Sequence, residues 1–234
     1  MNRLEKAAAG AVALMLIAAA AIFFYAPTDY LQGPVQRIFY LHVSSAIAAF
    51  GCFAVVLAGG IVYLRNESPR ADRYARAGAL VGVVFTTVTL VMGMLWARKV
   101  WGAFWVWDAR LTSTLVLLII YAGYLLVRRL SEAGRQTARI AAVVGIFGFI
   151  DVPVVYFSVD WWATHHPGPV ITSDALPPQM LATFLFTMLC TLVLAAVMVV
   201  IRYRIEMLMD MKQLIASGAP LTVAIPRRDP EPAQ

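Results

Sequence analysis

Six uninterrupted apolar runs decide what this chain can be: residues 7–24, 38–64, 77–95, 112–127, 140–157 and 179–201. Most are close to the ~20 residues that cross the hydrocarbon core of a bilayer. No water satisfies a backbone amide there, so such runs must be helical. A soluble domain with a large core is excluded by composition: 61% of residues are hydrophobic and 14% charged, against roughly 25% charged in soluble domains. The expected fold is an all-α integral membrane protein, a bundle of six transmembrane helices. The alanine-rich first run is also compatible with a cleaved signal peptide. Its length, and Phe23, Phe24 and Tyr25 at its end, suit a retained helix better.

The loops carry the orientation. Of 19 Lys and Arg residues, 15 fall on one side of the six-span topology. Arg37, Arg98, Lys99 and Arg110 fall on the other. The rich side is cytoplasmic, so both termini face the cytoplasm and the poor side faces out. The net charge of +6 is a topology signal at the ends of apolar runs, not a nucleic-acid surface. Residues 1–201 read as one six-helix membrane domain. Residues 202–234 read as a cytoplasmic tail that starts amphipathic and ends proline-rich and disordered. Cys52 and Cys190 lie within apolar runs without a CxxC or CxxCH spacing, so they read as small buried hydrophobes.

The unusual chemistry is confined to the outer side. Residues 101–112, WGAFWVWDARLT, combine three tryptophans, a phenylalanine, an aspartate and an arginine. This is too aromatic for a solvated loop and too charged to cross a bilayer. It suits the membrane–water interface, where indole keeps an apolar body and one N–H donor. If helical, it places Trp101, Trp105, Asp108 and Thr112 on one face. The loop is expected over 96–111, with Asp108 and Arg110 as a local salt bridge. All six tryptophans, including Trp161 and Trp162, fall in the two larger outer loops. An aromatic belt would occupy both interfaces.

The three histidines fall on the same side. His42 sits about one turn into the second run, and His165 and His166 follow the second tryptophan pair. Ionisable groups at this depth are costly and point to function. Two imidazoles, a flat aromatic floor and nearby cations suit haem: iron takes axial imidazoles, the porphyrin face takes indoles, and propionates take Arg or Lys. The floor would be Trp101, Trp105 and Trp107, with Trp161 or Trp162 close by and Arg37, Arg98, Lys99 and Arg110 as propionate partners. The spacing leaves His165 and His166 both open as the second ligand. Zinc fits less well, because no carboxylate or cysteine stands beside the histidines at ligand spacing. Two rival readings are a membrane b-type electron carrier, limited by three histidines to one bis-histidine site, and a haem-translocating subunit of an ABC-type exporter.

WGAFWVWDARLT resembles the tryptophan-rich signature of the haem-handling proteins of cytochrome c biogenesis. With six spans in 234 residues, the chain resembles the CcmC family of system I. YAPTDYLQGPVQRIFYLHVSSA is similar to that family's first outer loop and second helix, and YFSVDWWATHH to the start of its third outer loop. The resemblance runs from about residue 25 to 201. It implies non-covalent haem b held at the periplasmic face of the inner membrane by His42 and, by alignment, His166 rather than His165. It also implies presentation of haem to a membrane-anchored periplasmic chaperone (CcmE-like) for covalent attachment. Implied neighbours are ABC transporter subunits (CcmA-like, CcmB-like) and a small single-span protein (CcmD-like). The chain has no GxxxxGK[ST] loop, so it does not supply the ATPase. Ser44 stands where many members have proline, and Asp151 where a neutral polar residue is expected.

Overall fold

The computed structural model describes residues 2–132, 134–162, 165–166 and 176–216. The tail expected to be disordered, with Arg227 and Arg228, lies outside these residues. So do residues 167–175. The described residues form seven α-helices and no strands: α1 (Arg3–Ala20), α2 (Ile38–Asn66), α3 (Pro69–Val100), α4 (Ala109–Leu130), α5 (Arg135–Phe149), α6 (Asp151–Trp161) and α7 (Pro178–Ala216). A π-helical turn, Ala21–Tyr25, extends α1, and a 3₁₀ turn, Pro34–Arg37, leads into α2. Together they make six helices long and apolar enough to cross a membrane.

The helix ends follow ordinary capping chemistry. Asn2 and Glu5 form a reciprocal capping box at α1. This satisfies amides that would otherwise be orphaned. Ser68 caps α3 with Pro69 in the first turn, where its missing N–H costs nothing. Two expected spans end differently. The run at 140–157 is two helices, because Pro153 has no N–H for the Phe149 carbonyl, and its ring crowds that carbonyl. The chain breaks at Ile150 and α6 restarts at Asp151. The third helix is also much longer than its apolar stretch, 32 residues from Pro69 to Val100.

Helix α2 is central, packing on α3, α5 and α7, while α6 leans on α4. The α2–α3 crossing is tight enough to need small residues. A Cβ on Gly78 would fall 2.8 Å from the Cys52 carbonyl oxygen. Without a hydrophobic force between helices in lipid, such close backbone contact carries the association. The core is aromatic: Phe53 and Tyr121 stack at 3.7 Å between centroids, and the Tyr121 hydroxyl donates to the Gly145 carbonyl at 3.0 Å.

The arginine-rich end is closed by a buried ion cluster. Arg76 meets Asp72 (3.2 Å), Glu206 (2.7 Å) and Asp210 (2.8 Å), Arg73 meets Asp210 (2.7 Å), and Arg128 meets Asp72 (2.6 Å). These pairs tie α3 to α4 and α7. They leave the opposite, tryptophan-bearing end to be shaped separately.

Candidate functional site

At that end the helices enclose a cavity of about 680 Å³, lined from α2, α3, α4, α6 and α7. The break at Ile150 matters here. Helix α5 packs on α2, whereas α6 stands against α4, so α2 and α6 face each other across open space. His42 from α2 and His166 from beyond α6 both line this cavity. Its walls are mainly apolar, with Gln36, Trp96, Trp101, Arg110 and Asp160 among them.

Each histidine is anchored through the same nitrogen. His42 Nδ1 lies 2.9 Å from the Thr89 carbonyl oxygen on α3. A carbonyl only accepts, so Nδ1 holds the proton and Nε2 keeps the lone pair. Gly93, one turn further along α3, gives the ring room: a Cβ there would fall 2.9 Å from His42 Cε1. Trp96 closes the same wall edge-on to His42, its indole N–H held by Gln32 at 2.8 Å.

His166 Nδ1 lies 3.0 Å from Asp108 Oδ2. Asp108 is 7% exposed, and its other oxygen accepts the Leu111 amide at 2.8 Å. One carboxylate thus caps α4 and orients an imidazole. Trp101 sits edge-on to His166 at 5.1 Å and tilted to His165 at 5.8 Å.

The tryptophan-rich segment is not helical. Helix α3 runs through Trp96 to Val100, residues 101–104 turn, and 105–108 are irregular, with the Asp108 amide bonded to the Val106 carbonyl at 2.9 Å, before α4. Gly102 at φ +78° makes the turn, a conformation that suits glycine. The expected single face of Trp101, Trp105, Asp108 and Thr112 therefore does not exist. The expected Asp108–Arg110 salt bridge is replaced by two separate bonds. Asp108 holds His166, and Arg110 Nη2 donates to the Tyr156 carbonyl at 2.8 Å, linking α4 to α6.

The other candidates divide. Of the four cations, Arg110 lines the cavity, and its Nε is buried with no hydrogen-bond partner among the described residues. Arg37 donates to Thr28 and covers the Phe23 ring; Arg98 bonds the Gly102 carbonyl and covers Phe104; Lys99 is exposed. Trp105 and Trp107 pair with each other outside the lining, Trp107 79% exposed. Trp161 stacks on Phe157 at the end of α6 and meets Trp162 edge-on. Sequence reasoning missed Thr89, Gly93 and Asp160. No group of three or more His, Cys, Asp or Glu capable of holding a metal occurs among the described residues.

Burial lowers the His166 pKa below its ordinary value, and the Asp108 carboxylate opposes part of that shift. The imidazole is therefore neutral at pH 7. Between the ordinary histidine range and its own lower pKa, the unfolded chain takes up a proton that the folded chain refuses. Stability from this group is thus full above ~6.5 and is lost as pH falls through the folded pKa. A ligand held by the neutral ring competes with the proton, so it is released below the free-ring pKa, the further below the tighter it binds. Asp108→Asn removes the opposing anion, so the free His166 ring titrates lower still. At neutral pH the substitution weakens binding by about 10–100-fold, the usual cost of losing the group behind a metal-bound histidine. Haem retention by absorbance between pH 4 and 8 checks both effects.

The fold and site define a multi-pass helical membrane protein with a histidine–tryptophan cavity at one end. The family model described as CcmC, Heme exporter protein C, matches residues 2–216. Heme exporter protein C of Escherichia coli K12 is 36% identical over 182 residues, 78% of this chain and 74% of that protein. Its counterpart from Bradyrhizobium diazoefficiens is 38% identical over 180 residues, covering 73% and 68%. A putative cytochrome c biosynthesis ccmC-like mitochondrial protein of Arabidopsis thaliana is 33% identical over 204 residues, covering 86% and 77%. The chain belongs to the CcmC family.

Proposed function

We propose that this chain binds haem non-covalently at the periplasmic face of the bacterial inner membrane and presents it to a membrane-anchored haem chaperone during c-type cytochrome biogenesis. One observation carries the reading: His42 and His166, from remote parts of the chain, line one cavity, each with Nδ1 bonded to a fixed acceptor. That is the usual arrangement behind a metal-bound imidazole, whose second nitrogen is then oriented and made more basic. The cavity lies within the roughly 300–1,000 Å³ typical of ligand sites. Its apolar walls suit a porphyrin.

When bound, haem would be held through its iron by His42 and His166 and would supply the group to which the chaperone becomes joined. The chain's own residues do the positioning. His42 and His166 offer Nε2 to the metal. Trp101 and Trp96 wall the site, and Arg110 offers its guanidinium to an anionic propionate. The contribution is to hold a reactant in place, which converts a bimolecular attachment into an effectively intramolecular one. Trp105 and Trp107, outside the lining, belong to the surface that meets the chaperone, and exposed Trp161 and Trp162 at the end of α6 add to it. The ABC transporter subunits and a small single-span protein complete the assembly.

Loading of the chaperone tests this reading. Trp105→Ala with Trp107→Ala is expected to retain haem and lose its covalent transfer. Full transfer by this variant would reject the display surface, and loss of haem itself would move both indoles into the pocket.

A further inference from the structure

Helix α7 is too long for the membrane it crosses. It has 39 residues, about 58 Å at ~1.5 Å per residue. The bilayer with its headgroups is about 40–45 Å thick. The apolar run ends at Ile201, and Arg202, Arg204 and Glu206 follow. Beyond that point α7 does not fold down onto the lipid. Tyr203 stacks on Tyr74 of α3 at 4.3 Å, and Glu206 and Asp210 are held by Arg76 and Arg73. Two turns of α7 therefore stand upright against the start of α3.

The faces of this projecting segment are inverted. The side carrying Tyr203, Glu206 and Asp210 is polar and faces the protein. The opposite side carries Ile205, Leu208, Met209 and Ile215, at helical spacings of three, four and seven. These are 40%, 60%, 47% and 64% exposed. From Leu208 to Ile215 they lie about 9–20 Å beyond Arg202 along the axis. The headgroup layer is only about 5–8 Å deep, so lipid does not cover them. Exposed Arg204 lies at one edge of the stripe, and exposed Lys212 stands within it, one turn beyond Leu208 and Met209. A second copy would set these cations against their own kind.

We propose that this stripe on the end of α7 docks a different protein, cytoplasmic by the charge count of the sequence, that presents an apolar groove carrying acidic side chains against Lys212 and Arg204. Methionine and isoleucine supply adaptable contact area, and the two cations supply orientation. The proposal stands apart from the haem reading, since the ion cluster separates it from the cavity.

The test places a photo-crosslinking amino acid at Leu208, Ile215 or, as a face control, Gln213 in the full chain in its native membrane. Adducts at 208 and 215 and none at 213 are expected, joined to one polypeptide other than this chain. Its cross-linked peptide, identified by mass spectrometry, should be apolar with Asp or Glu beside it. Leu208→Glu with the probe at 215, and Ile215→Glu with the probe at 208, should lose the adduct while the protein still elutes as a folded species. Lys212→Glu should weaken it. The proposal is overturned by no adduct, by equal adducts at 213, or by adducts to residues 217–234, a second copy or phospholipid. Adducts that persist in the glutamate variants, or to a peptide without acidic neighbours, overturn it too.

Discussion

His42→Ala and His166→Ala are each expected to abolish the absorption of a six-coordinate haem and to weaken its retention by more than about 100-fold. Even the groups behind a metal-bound histidine are worth 10–100-fold, and these substitutions remove the donor itself. The two losses have different surroundings. His42 is wedged between Thr89, Gly93 and Trp96, so its removal opens a hole within rigid helices. Among the described residues, His166 is held by the Asp108 carboxylate and the Trp101 indole edge. A purely structural role is separated from ligation by His42→Gly and His166→Gly with added imidazole. Free imidazole restores the six-coordinate spectrum where the side chain was an axial ligand, and does nothing where it only packed. Unchanged spectra in both alanine variants would reject the assignment.

Arg76→Ala is expected to be the most damaging single change to the fold. Arg76, with a side chain 16% exposed, holds Glu206 (5%), Asp210 (24%) and Asp72 (12%) in one cluster. Removing the cation leaves Asp210 with Arg73, Asp72 with Arg128 and buried Glu206 with Arg202 alone, so the loss reaches at most the about 3–5 kcal/mol of breaking a buried pair. At roughly 2–4 °C per kcal/mol for a chain of this size, melting in detergent falls by at most about 6–20 °C. Arg76→Lys keeps the charge but cannot fork between α7 and α3, so it falls in between. Melting unchanged in Arg76→Ala would show the cluster to be held by Arg73, Arg128 and Arg202. Haem retention is unaffected in the folded fraction, because the cavity lies at the other end.

What was legible in the sequence is what single residues announce. Bilayer-length apolar runs leave helices as the sole outcome, so six spans were readable. Histidine and tryptophan in such runs are conspicuous, so His42, His166 and Trp101 were readable as a group. The helix ends were not. Hydropathy treats Arg73, Arg76, Glu206 and Asp210 as the close of a span, whereas these charges neutralise one another and let α3 and α7 run on. Thr89 and Gly93 were invisible for a related reason. They are ordinary members of an apolar run, and only the α2–α3 crossing makes one an acceptor and the other a space for a ring. Asp108 was noticed but misassigned. An aspartate followed by a helical run is an N-cap signal, and residues two apart on a helix do not face each other. Pro153 was a readable break that a continuous apolar run concealed.

The central claim is that two anchored imidazoles converge on one iron. Electron paramagnetic resonance of the purified ferric complex, with haem counted per chain, addresses it most directly. A low-spin bis-imidazole signal at one haem per chain is predicted. A high-spin, five-coordinate signal, or no bound haem in protein purified from haem-replete membranes, would contradict it.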